Sequence, residues 1–140
     1  MSTPELIGRF AAEMEAAAAA GDVAACRPLV RLGVHKYAAT LDGRTPLHCA
    51  ARHGRVAALL LLLNASHKAE EDLVSRDDYF QTPLHAAATC DGREDDAAAA
   101  VRLLLARGAD SAALDINGHS PRRLAFHDEV RKLLPDTDTP

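Results

Sequence analysis

Two seven-residue stretches of this 140-residue chain are nearly the same: Thr45-Pro46-Leu47-His48-Cys49-Ala50-Ala51 and Thr82-Pro83-Leu84-His85-Ala86-Ala87-Ala88. Self-similarity at a fixed period of roughly 20–50 residues marks a repeat architecture, in which each unit buries its apolar face only against its neighbours. Thr45 and Thr82 stand 37 residues apart, and Ser120-Pro121 opens a third, looser copy 38 residues further on. Each position has a physical task. Thr45 and Thr82 accept a backbone N–H and so start a helix. Pro46 and Pro83 fall where a missing N–H costs nothing. Leu47 and Leu84 face the core, and Ala50-Ala51 and Ala87-Ala88 let helices approach closely.

A second helical run follows each copy, Val56–Leu63 and then Val101–Leu105. Gly54 and Gly108 fall at helix-ending or turn positions, where positive φ is wanted. Asp42-Gly43 and Asn117-Gly118 are hairpin-tip pairs. One period before Thr45, the stretch Ala16-Ala17, Gly21-Asp22-Val23, Leu29-Val30 and Gly33 reads as a degenerate first unit. Thr3 is its expected helix cap, with the helix starting near Pro4. Pro28 predicts a bend or an irregular start in its second helix. The division is an N-terminal extension (1–3), units at about 4–44, 45–81, 82–119 and 120–134, and a disordered tail (135–140). The first and last units cap the stack, and the last, short and rich in Arg and Lys, has the polar outer face a cap needs.

The repeated Thr-Pro-Leu-His resembles the ankyrin repeat, and the resemblance runs from about Pro4 to Leu134. It implies an all-α repeat fold, a solenoid of stacked helix-turn-helix units joined by β-hairpin-like loops. His48 and His85 resemble the family's structural His, which bonds the Thr and the neighbouring loop and ties one unit to the next. Departures from the pattern are specific. The units exceed the family period of about 33 residues, and the excess is expected at 64–72 and 89–98, as enlarged loops. Phe80 stands where the family has a tip Gly, so that tip is not expected to take the usual left-handed backbone.

Several function classes recede. The net charge of −4 argues against a nucleic-acid surface, which needs clustered Lys and Arg. No run approaches the roughly 20 apolar residues of a membrane span. Neither a signal peptide's basic leader and apolar core nor a myristoylation pattern is present. Three cysteines without close spacing fit free thiols in a reducing compartment, and the expected location is the cytoplasm, with the nucleus also accessible. Seven histidines form no zinc spacing with them. There is no phosphate loop, nucleophile elbow or HExxH motif. The chain is expected to be no enzyme, to need no cofactor or metal, and to be monomeric on its own.

The resemblance implies a protein-interaction module, an adaptor, scaffold or stoichiometric inhibitor, that holds another protein on its loop tips and first-helix face. The alternative is a structural or regulatory subunit of a larger complex. The tip candidates are Leu41, Asp42 and Arg44, then Asp78, Tyr79, Phe80 and Gln81, then Ile116, Asn117 and His119. The first-helix candidates are Arg52, His53, Thr89 and Cys90. Cys90 is the cysteine expected to be exposed, and Tyr79 the aromatic most expected to meet a partner, with Phe80 folded back on its own loop.

Overall fold

The computed structural model describes residues 3–33, 42–65 and 72–135. Leu41, residues 66–71 of the first insertion and the tail from 136 lie outside the described residues. The described chain folds into α1 (Thr3–Ala20), α2 (Val23–Arg31), α3 (Pro46–Arg52), α4 (Val56–Ala65), α5 (Pro83–Ala88), α6 (Glu94–Ala106), α7 (Pro121–Leu124) and α8 (Asp128–Leu133). No strand occurs among the described residues.

The starts of four of these helices follow from their caps. The Asp22 carboxylate accepts the Ala25 N–H at 3.1 Å and opens α2. Thr45, Thr82 and Ser120 do the same for α3, α5 and α7, each followed by Pro at the first helical position. α2 runs on through Pro28 to Arg31, and the Leu32 N–H closes it on the Pro28 carbonyl at 3.1 Å. The N–H that Pro28 lacks would have met Ala24, which is exposed, so water can take that place.

Helices α1, α3, α5 and α7 lie side by side in one layer, and α2, α4, α6 and α8 in a second. Each second helix turns back over its own first helix. The seam between the layers is the core. It holds Met14, Leu59, Leu63, Leu84, Val101, Leu104 and Val130, all within 2% of full burial. Ala18, Ala50, Ala51, Ala58, Ala87, Ala88, Ala97 and Ala100 are fully buried between them. Small side chains at these contacts let the backbones close up, and the cluster runs unbroken from Met14 to Leu134.

The second insertion corrects an expectation. Residues 89–98 do not form one enlarged loop. The connection between α5 and α6 covers residues 89–93, and the surplus lengthens α6 to 13 residues against 10 in α4. Glu94, Asp95 and Asp96 fill the first turn of α6, where carboxylates meet the positive end of the helix dipole.

Candidate functional site: the row of loop tips

The two repeated His side chains are staples. His48 Nδ1 sits 2.9 Å from Thr45 Oγ1 and accepts the Thr45 N–H at 3.3 Å, while the His48 N–H donates to Thr45 Oγ1. His48 Nε2 lies 2.8 Å from the Gln81 carbonyl, in the next unit's loop. A carbonyl only accepts, so Nε2 carries the proton and Nδ1 is bare. His85 repeats the pattern on Thr82 and reaches the His119 carbonyl at 3.0 Å. Burial, first of all, pushes both imidazoles below their ordinary value, against the opposing pull of those carbonyls.

Two aspartates shape the tips, and neither is among the sequence candidates. Asp77 Oδ1 accepts the N–H groups of Tyr79 and Gln81, both at 2.9 Å. Asp115 Oδ1 accepts those of Asn117 and His119, at 2.9 and 2.8 Å. Both carboxylates are buried. Burial by itself would raise the Asp115 carboxyl. The His119 and Asn117 N–H groups and the Gln81 amide outweigh it and hold it below the usual range. A legible signal exists: an Asp five residues before the capping Thr or Ser, at 77 and again at 115.

Successive tips are joined by backbone. The Asp78 N–H donates to the Asp42 carbonyl at 2.8 Å, and one unit on the Ile116 N–H donates to the Tyr79 carbonyl at 2.9 Å. Side chains repeat the link. Arg44 Nε stands 3.7 Å from Asp77 Oδ2, and Gln81 Nε2 stands 3.5 Å from Asp115 Oδ2. The tips therefore form one rigid row.

Phe80 departs from expectation in an informative way. It adopts the left-handed backbone after all, at φ 63°, the only non-glycine among the described residues with positive φ. An L-residue there costs about 1–2 kcal/mol. Arg76 supplies what holds it: its guanidinium carbon lies 4.1 Å from the ring centroid, and Nη1 donates to the Phe80 and Leu114 carbonyls, both at 2.8 Å. The ring is stacked under Arg76, yet Phe80 stays 53% exposed, with Tyr79 at 49%, Leu114 at 48% and Ile116 at 66%. Four large apolar side chains thus stand in solvent on neighbouring tips.

The remaining candidates are distributed unevenly. Asp42, Asp78 and Asn117 are exposed on the tip row, and Arg44, Gln81 and His119 are half-buried in its links. Leu41 lies outside the described residues. Arg52, His53, Thr89 and Cys90 stand at the far ends of α3 and α5, roughly 10 Å from the tips at about 1.5 Å per residue, so the structure sets them apart from the row. Arg52 Nη1 donates to the Thr89 carbonyl at 2.7 Å, closing the end of α5 from the unit before. His53 is exposed, and partial burial of its ring, then Arg52 and Arg55, depress its imidazole. Cys90 is not exposed. Only 1% of it meets solvent, and Cys26 and Cys49 are buried too, all three as free thiols. Among the described residues no three His, Cys, Asp or Glu side chains converge as metal ligands, and no helix is long and apolar enough to cross a membrane.

A two-layer stack of helical hairpins, stapled by a buried His and edged by a row of tips, defines a repeat protein that presents surface. The match to a family model described as ankyrin repeats, in three copies over residues 14–117, places it: the chain belongs to the ankyrin repeat family. That fold is a non-enzymatic protein-interaction fold. Among curated proteins, the chain is similar to the rice (Oryza sativa subsp. japonica) zinc finger CCCH domain-containing protein 24, 41% identical over 58% of this chain and 10% of that protein. It is also similar to human B-cell lymphoma 3 protein, 36% identical over 60% of this chain and 17% of that protein. The chain thus spans a small part of each relative's length.

Proposed function

We propose that this chain binds a protein partner through the tips of its second and third loops, with Tyr79, Phe80, Leu114 and Ile116 as the apolar centre. The observation that carries the reading is the exposure of all four on tips that Asp77, Asp115 and Arg76 hold rigid. Contiguous exposed apolar surface marks interaction sites, and aromatics dominate interface energetics. A rigid tip loses little entropy on binding. Asp42, Asp78 and Asn117 supply the polar rim, and Arg44, Gln81 and His119 serve mainly to hold the tips. Arg52 and Thr89 support α5, so their part in binding is indirect.

The chain acts as an adaptor, scaffold or stoichiometric inhibitor, in the cytoplasm with access to the nucleus; its unpaired thiols fit a reducing compartment. A second reading makes it a structural or regulatory subunit of a larger complex; the relatives carry the matching stretch as 10% and 17% of a longer chain.

Capture from native lysate with wild type and with a Tyr79→Ala, Ile116→Ala double variant tests the proposal. Both positions are exposed, so the variant keeps its circular dichroism and melting temperature. The expected result is a protein retained by wild type and reduced at least tenfold on the variant, as loss of two central anchors implies. Equal retention by both would place binding elsewhere.

A further inference from the structure

The cations of the tip row are engaged within it. Arg44 Nε stands 3.7 Å from the buried Asp77 carboxylate. Arg76 turns its guanidinium to its own loop and the next: Nη1 donates to the Phe80 and Leu114 carbonyls, both at 2.8 Å, and the guanidinium carbon lies 4.1 Å from the Phe80 ring centroid. The carboxylates divide differently. Asp77 and Asp115 point into the loops they shape. Asp42 and Asp78 are exposed, and among the described residues no hydrogen bond or ion pair occupies either side chain.

These two open carboxylates stand on joined tips. The Asp78 N–H donates to the Asp42 carbonyl at 2.8 Å, and a Cβ at Gly43 would lie 3.0 Å from Asp78 Oδ1, so the Asp78 carboxylate leans over the first tip. Tyr79, the next residue, carries the row on: its carbonyl accepts the Ile116 N–H of the third tip at 2.9 Å. The row therefore passes from two open carboxylates to the exposed apolar side chains of Tyr79, Phe80, Leu114 and Ile116 over one unit spacing. Packed helices stand about 8–10 Å apart, a distance that an extended chain crosses in about three residues.

We infer, on the tip reading above, that the occupant of this row is an extended protein segment in which a Lys or Arg stands about three positions from a large apolar residue. The cation meets Asp42 and Asp78, and the apolar residue packs on Tyr79 and Ile116. An acidic segment would bring like charges against the open carboxylates, which costs affinity and slows encounter. Apolar contact supplies the affinity; the carboxylates set which segments are admitted and in which direction they lie.

Selection of random short peptides displayed on phage against the immobilised full chain tests this. The expected binders are enriched in Lys or Arg about three positions from Phe, Trp, Leu or Ile. Synthetic copies of them, followed by fluorescence anisotropy, should bind about fivefold more weakly to an Asp42→Asn, Asp78→Asn double variant, as the loss of exposed ion pairs implies, and more weakly to wild type in high salt. Both aspartates are exposed, and circular dichroism verifies that the variant is folded; the sequence bias of the selected peptides is read on wild type alone. Tyr79→Ala, Ile116→Ala tells this inference apart from the tip reading. Peptides lost by that variant but free of any basic bias, or held equally by the Asp variant, would overturn the inference and leave the tip reading standing. Peptides held equally by Tyr79→Ala, Ile116→Ala would overturn both. A selection that enriches nothing would overturn a short linear segment as the occupant.

Discussion

His48 and His85 each make one unit depend on the next through the Nε2 proton, and the Thr end of each staple, at Nδ1, is complete only when the ring is neutral. A second proton on Nδ1 would expel the Thr N–H that it accepts and leave a charge in a buried site. Their folded values lie below 6.5, so between the folded and unfolded values the unfolded chain binds more protons. Stability is then full above about pH 6.5 and falls as pH drops below it. Urea unfolding followed from pH 7.5 to 5 is expected to show a falling midpoint, with a slope of at most about 1.4 kcal/mol per pH unit for each imidazole. A flat profile would show that the staples tolerate charge. The staple geometry was legible in the repeated Thr-Pro-Leu-His. The Asp77 and Asp115 tip bonds were not, because a lone Asp in a loop ordinarily reads as a solvated charge.

At the scale of elements, Gly54 shows how one residue serves two helices. It ends α3 at φ 67°, a backbone that L side chains rarely adopt. It also lies under the next unit, where an added Cβ would sit 3.1 Å from Asp96 Cβ and 3.3 Å from Cys90 Sγ. Strain and crowding add together there. Gly54→Ala is expected to destabilise by about 2 kcal/mol, read as a lowered midpoint in thermal unfolding. Gly108→Ala meets only the backbone strain, since nothing lies within 4 Å of its Cβ site, and should cost about half as much. Equal losses would mean that the α5–α6 connection yields freely. The turn role of both glycines follows from sequence. The burial of Cys90 beneath Gly54 does not, because it depends on how α6 is lengthened into the second insertion. Sequence places those extra residues in a loop; the run Glu94-Asp95-Asp96-Ala97-Ala98 instead favours helix, with acid in its first turn and alanine after it.

Across the whole molecule, the stack separates the seam that holds the fold from the tips proposed to meet a partner. The seam between layers is mostly alanine and leucine, and the tips carry Tyr79 and Phe80, both exposed. Phe80 marks the limit of legibility. Its place at a glycine position was plain, but the left-handed backbone it keeps depends on Arg76, which sits four residues away in sequence and stacks on its ring. The separation of the first-helix candidates from the tip row was likewise hidden, since adjacency along a repeat says nothing of which end of a helix a residue occupies. The central claim, that the tips are the binding face, is tested most directly by a photo-reactive side chain placed singly at positions 79, 116, 60 and 102 in the presence of captured partner. Positions 60 and 102 are exposed on the second helices α4 and α6. Adducts at 79 and 116, with none at 60 and 102, are the predicted result. Adducts at 60 or 102 and none at the tips would contradict it.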